Sequence, residues 1–126
     1  MKANSLLNIA SLIALLFIGS CDEDNNELIQ TRTSLLADVQ WTNSQIIGTA
    51  PSGYSIFLPV IFKQDKSVYI AGTKLQWTFI DNGNSIKITY PNSFKTWTIV
   101  SLTETDFHFK EFDNKGQFII ELIYTK

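Results

Sequence analysis

One cysteine, one histidine, three prolines and six glycines are all that 126 residues contain of these types, and each shortage removes a class of protein. A single Cys allows no internal disulfide, so the fold must rest on its apolar core. One His beside that Cys cannot form a His- and Cys-rich metal cage, so neither a metal nor another cofactor is expected. Gly and Pro are too few for a collagen-like or low-complexity chain, and 13% aromatic residues are too many for a disordered one. Ten basic against twelve acidic residues leave a net charge of -2 and no basic field for nucleic acid. Lysines 63, 66, 74, 87, 95, 110 and 115 stand singly, with no run or aromatic interleaving. No G-x-S-x-G or comparable nucleophile element surrounds any Ser, and no enzyme is expected. The length allows one domain.

What is present is unevenly distributed. Lys2 is followed by Leu6, Leu7, Ile9 and Ala10, and then by an unbroken apolar run over 12–18. A mature bilayer-spanning helix needs roughly 20 apolar residues, so this stretch is too short. A basic start, a short apolar segment and small residues at its end make residues 1–20 a secretory signal peptide. Its last residues and the next, Ile18-Gly19-Ser20-Cys21, resemble the lipobox of bacterial lipoproteins. That resemblance implies peptidase recognition at Ile18, Gly19 and Ser20, cleavage before Cys21, and transfer to the Cys21 thiol of a diacylglyceryl group bearing palmitate-type chains. Acyl chains convert the membrane relation from spanning to anchored, each buried methylene adding roughly 0.8 kcal/mol. The following residues carry four carboxylates and no apolar side chain over 22–27, as a solvated tether (21–27) requires. Acidic residues after a lipidated Cys also resemble the surface-export signals of Bacteroidetes-type lipoproteins, which implies the cell envelope and its outer membrane.

Residues 28–126 carry nine basic and eight acidic side chains, a net +1, so the negative charge belongs to the tether. Apolar residues here recur with period two: Leu75, Trp77 and Phe79 against Gln76 and Thr78, or Ile86, Ile88 and Tyr90 against Lys87 and Thr89. The same spacing over 41–48, 56–63, 67–71, 96–103, 107–112 and 118–125 makes eight candidate strands. Turn formers separate them closely, as in Asp81-Asn82-Gly83-Asn84 and Asp113-Asn114-Lys115-Gly116, and connections this short force antiparallel neighbours. Sequential strands leave two exposed edges unless the sheet closes, so an all-β, up-and-down antiparallel barrel is expected. Pro59 lacks a ladder donor, so its strand should be broken, bulged or at an opening in the barrel. One or two helical turns over 33–38, capped by Thr33 or Ser34, complete the expected elements.

The Leu35-Leu36 pair before Trp41, the strand bearing Trp77, the segment Trp97-Thr98-Ile99-Val100-Ser101-Leu102-Thr103 and the strand Phe107-His108-Phe109 together resemble the small lipocalin-like domains of Bacteroidetes lipoproteins. Lipocalins place Gly two residues before the first Trp, where this chain has Val39. The resemblance implies that Trp41 packs structurally at the closed barrel base and that the loop 49–54 covers the open end.

An eight-stranded barrel is just wide enough to be filled by side chains or to hold one small ligand. Trp77, Phe79, Ile88, Tyr90, Trp97, Ile99, Phe118 and Ile120 share a parity that points inward. Filling of the centre is one outcome. The other is a pocket in which Trp77, Tyr90 and Trp97 line a mostly apolar ligand and orient it by their polar ends. His108 alternates with Phe107 and Phe109 and should face solvent with Lys110. The carboxylate pairs Glu111/Asp113 and Glu104/Asp106 lie in or beside turns, where solvated charge is expected rather than acid–base chemistry. The expected function is a membrane-anchored lipocalin-like lipoprotein that binds a small apolar or amphipathic ligand. The alternative is a protein-interaction or enzyme-inhibitor module whose barrel is filled and holds no ligand.

Overall fold

Where apolar and polar residues alternate, the chain forms strands. The computed structural model describes residues 26–126, so the signal peptide, Cys21 and the tether up to residue 25 lie outside the described residues. The strands are β1 (Gln40–Trp41), β2 (Asn43–Ile47), β3 (Val60–Phe62), β4 (Ser67–Ile70), β5 (Thr73–Ile80), β6 (Ser85–Tyr90), β7 (Ser93–Leu102), β8 (Asp106–Phe112) and β9 (Phe118–Thr125). From β3 to β9 each strand pairs antiparallel with the next. β1 and β2 are one stretch interrupted at Thr42. β1 pairs with β3, Trp41 lying opposite Val60, while β2 pairs with β9 from Asn43 opposite Thr125 to Ile47 opposite Glu121. One segment thus joins both ends of the meander, and the sheet forms a nearly closed antiparallel barrel, as its sequence pattern predicts.

Strand direction sorts the connections into two ends. The turns after β3, β5 and β7 and the chain's end at Lys126 lie at the base, and those after β4, β6 and β8, with the long segment after β2, lie at the mouth. The expected strand over 56–63 shrinks to Val60–Phe62 and begins only after Pro59, which has no N–H to give a ladder. Ahead of it the chain crosses the mouth, which frees Tyr54, Ile56 and Phe57 to face the barrel opening.

The helix, α1, occupies residues 26–36 and is longer than the expected one or two turns. Thr33 is not its cap but lies within it, its hydroxyl donating to the Ile29 carbonyl at 2.7 Å. Leu28, Ile29, Arg32, Thr33 and Leu36 are partly or fully buried at helical spacing, while Asn26, Glu27, Gln30 and Thr31 are exposed. The last two tether residues, Asn26 and Glu27, are therefore helical though solvated. Helix and barrel meet at the tight β5–β6 turn: Arg32 Nη1 donates to the Gly83 carbonyl at 2.6 Å, and a Cβ at Gly83 (φ +88°) would lie 3.0 Å from Ile29 Cγ1.

Large aromatics fill the base half of the barrel. Phe62 is fully buried and stands edge-on to Trp77, Trp97 and Phe107, with centroids 5.3, 6.0 and 6.2 Å away. Trp41 is 0% exposed and packs against Phe107 near the base, with no hydrogen-bond partner for Nε1 among the described residues. Ile88, Ile99 and Ile120 are buried as their parity predicts. Phe118 is not: it is 55% exposed. A register shift at Glu111/Phe112 places it at the strand's end opposite Phe112, where the two rings meet edge-on at 5.8 Å outside the core.

Candidate functional site

Above the aromatic base the barrel is open. A cavity of about 640 Å³ lies at the mouth, walled by Ile56, Phe57, Ile70 and Leu75 on one side and by Tyr90, Trp97, Glu111 and Tyr124 on the other. Its size falls in the range of small-molecule sites, and its walls mix apolar and aromatic side chains with the polar groups of Ser55, Thr73, Lys74, Lys95, Glu111 and three tyrosines. Side chains therefore fill the lower half of the barrel and leave the upper half vacant. Of the residues expected to line a pocket, Tyr90 and Trp97 do so. Trp77 does not; it belongs to the base, where its Nε1 donates to the Lys63 carbonyl at 2.9 Å and Lys66 Nζ lies 4.5 Å from its ring. Phe79 packs edge-on against Trp77 at 5.2 Å.

Glu111 is the feature that the expectation of solvated turn carboxylates misplaces. It is only 3% exposed. On β8 the residues Phe107, Phe109 and Glu111 share the inward face, so the strand carries its carboxylate into the barrel before the chain turns. Trp97 lies directly opposite on β7 and donates its indole N–H to Glu111 Oε1 at 3.0 Å. Tyr54, from the segment crossing the mouth, donates to the same oxygen at 3.4 Å, so loop 49–54 does reach over the open end. Lys95 shares the inward parity of Trp97 and brings Nζ to 3.4 Å from Oε2. That separation is an ion-pair distance without hydrogen-bond alignment, and Oε2 accepts no hydrogen bond among the described residues. Lys95 Nζ also lies 5.6 Å from the Tyr90 ring centroid, while its side chain remains 38% exposed.

Burial and the Glu111 charge act together on the tyrosines. Desolvation first, and the carboxylate second, push the Tyr54 and Tyr90 hydroxyls above the ordinary value of 10.0. Tyr124 is raised too, by burial and then by its neighbours Tyr54, Glu111 and Tyr90. These phenols stay protonated and remain available as hydrogen-bond donors. The site thus combines one buried anionic acceptor, neutral phenols, an indole and a lysine that can leave toward water.

The other candidate residues lie elsewhere. His108 points out of the barrel, as expected, but is not free: its Nε2 meets Glu121 Oε2 at 2.6 Å on the neighbouring strand. Asp113 is separated from Glu111 in role, since its Oδ1 accepts the N–H groups of Lys115 and Gln117 and shapes the β8–β9 turn. Glu104 and Asp106 are exposed at the base end, away from the cavity. Ile18, Gly19, Ser20 and Cys21 lie outside the described residues. Compared with protein-family models, with curated proteins and with solved structures, the chain finds no match.

Proposed function

We propose that the chain is a lipocalin-like lipoprotein, tethered to the cell envelope through Cys21, whose barrel takes up one small amphipathic molecule. The observation that carries this reading is the cavity of about 640 Å³ with a buried carboxylate in an otherwise largely apolar and aromatic wall. Burying a charged side chain without full pairing costs several kcal/mol, a cost usually met where the group acts on something. The role we assign is binding: Glu111, held by Trp97 and Tyr54 and faced by Lys95 at 3.4 Å, is arranged to position the polar head of a ligand. The interaction-module alternative calls for a barrel filled to its mouth, and the open upper half favours the ligand reading over it. The Ile18-Gly19-Ser20-Cys21 sequence and the acidic stretch after it support anchoring, with the outer membrane as its place.

Native mass spectrometry of the protein isolated from envelopes without denaturation tests the reading. One extra small-molecule mass per chain is expected, together with quenching of tryptophan fluorescence when a delipidated sample is titrated with a short-chain amphiphile. The absence of both an added mass and quenching would overturn it.

A further inference from the structure

The polar groups of the cavity specify which amphiphile fits. Glu111 Oε1 is occupied by Trp97 and Tyr54, whereas Oε2 accepts no hydrogen bond among the described residues and lies 3.4 Å from the ammonium of Lys95. The same ammonium lies over the Tyr90 ring. A cation position bounded by a buried carboxylate and an aromatic face therefore already exists, and a side chain of the protein occupies it imperfectly.

Resting on the proposal that the cavity binds an amphiphile, we infer that its ligand carries an ammonium head, which replaces Lys95 at Glu111 while its apolar body lies along Ile56, Ile70 and Leu75. The exchange conserves charge: one ammonium enters as another leaves. Lys95 is more than one-third exposed on its strand, so its head can swing into water with little loss. An anionic ligand would instead draw Lys95 away and strand Glu111 as an unpaired buried charge, the costly outcome for a buried pair. A neutral alcohol can donate to Oε2 but leaves the buried carboxylate without a counter-charge. Lys74, the other cation of the lining, is exposed at the rim, where solvent screens its pull on an anion.

The test titrates the full chain with n-octylamine, n-octanol and octanoate below their aggregation concentrations, following tryptophan fluorescence and binding heat. Octylamine should bind about tenfold more tightly than either of the others, the advantage of meeting the buried carboxylate with an ionised rather than a neutral or anionic head. Glu111→Gln should erase that preference while octanol still binds. Lys95→Met, which keeps an apolar stem and removes the competing ammonium, should strengthen octylamine binding. Equal affinities for the three probes, tightest binding of octanoate, or octylamine binding unchanged in Lys95→Met would overturn the ammonium assignment and leave the cavity reading standing. Failure of all three probes to bind would overturn both.

Discussion

Two tryptophan-to-phenylalanine substitutions make the same chemical change and should differ in outcome because of what each indole N–H meets. Trp97 Nε1 donates to a buried carboxylate at 3.0 Å. Trp41 Nε1 is equally enclosed and has no partner among the described residues. Trp97→Phe removes a hydrogen bond to a charged acceptor, worth about 1.5–3 kcal/mol, and leaves Oε1 with only the longer Tyr54 contact. Trp41→Phe removes a donor whose burial is itself unfavourable, so its smaller packing loss is partly offset and the net cost stays within about 1.5 kcal/mol. The difference between the variants is about 2 kcal/mol, or about 8–16 °C in Tm for a domain of this size. Thermal and urea unfolding followed by far-ultraviolet circular dichroism measure it. Equal losses, or a larger one for Trp41→Phe, would refute the placement of the Trp97–Glu111 bond as the polar anchor of the barrel.

Three further outcomes follow from other parts of the molecule. Gly83→Ala puts a Cβ at φ +88° against Ile29, and should cost more than about 1 kcal/mol and speed amide exchange in α1; unchanged exchange would contradict the seating of the helix on that turn. In alkali, the unfolded chain releases tyrosine protons near 10.0 while Tyr54, Tyr90 and Tyr124 hold theirs in the fold; stability should therefore fall as pH rises past 10.0, with tyrosinate absorbance from these residues appearing only with unfolding. Cys21→Ser should abolish incorporation of labelled fatty acid in cells, and labelling that persists would remove the lipobox reading.

The barrel was legible because its signals are local and redundant: period-two spacing over Leu75, Trp77 and Phe79, and turn residues such as Asp113 to Gly116, state strand and reversal independently. Closure was legible only in outline, since the role of Thr42 in letting one segment serve both edges depends on long-range pairing with β3 and β9. The full length of α1 is hidden in the sequence because Arg32 and Thr33 break its apolar pattern, while in the fold Arg32 finds the Gly83 carbonyl and Thr33 bonds within the helix. Parity misplaces Phe118 because it ignores the register shift beside it. The site was the least visible part. Glu111 and Lys95 carry the same inward parity as Phe109 and Trp97, a pattern present in the sequence but outweighed there by the general rule that charges near turns are solvated. Trp77 has inward parity too, yet whether an inward ring fills the base or lines the mouth depends on its height along the barrel, which parity does not carry.

The indole N–H resonances of the three tryptophans report most directly on whether the open half of this barrel is a binding site. In a proton–nitrogen correlation spectrum recorded while n-octylamine is added, the Trp97 signal should shift progressively and saturate, while those of Trp41 and Trp77, enclosed at the base, stay in place. Three unmoved signals, or a uniform shift of all three, would contradict a ligand seated at Glu111 in the mouth of the barrel.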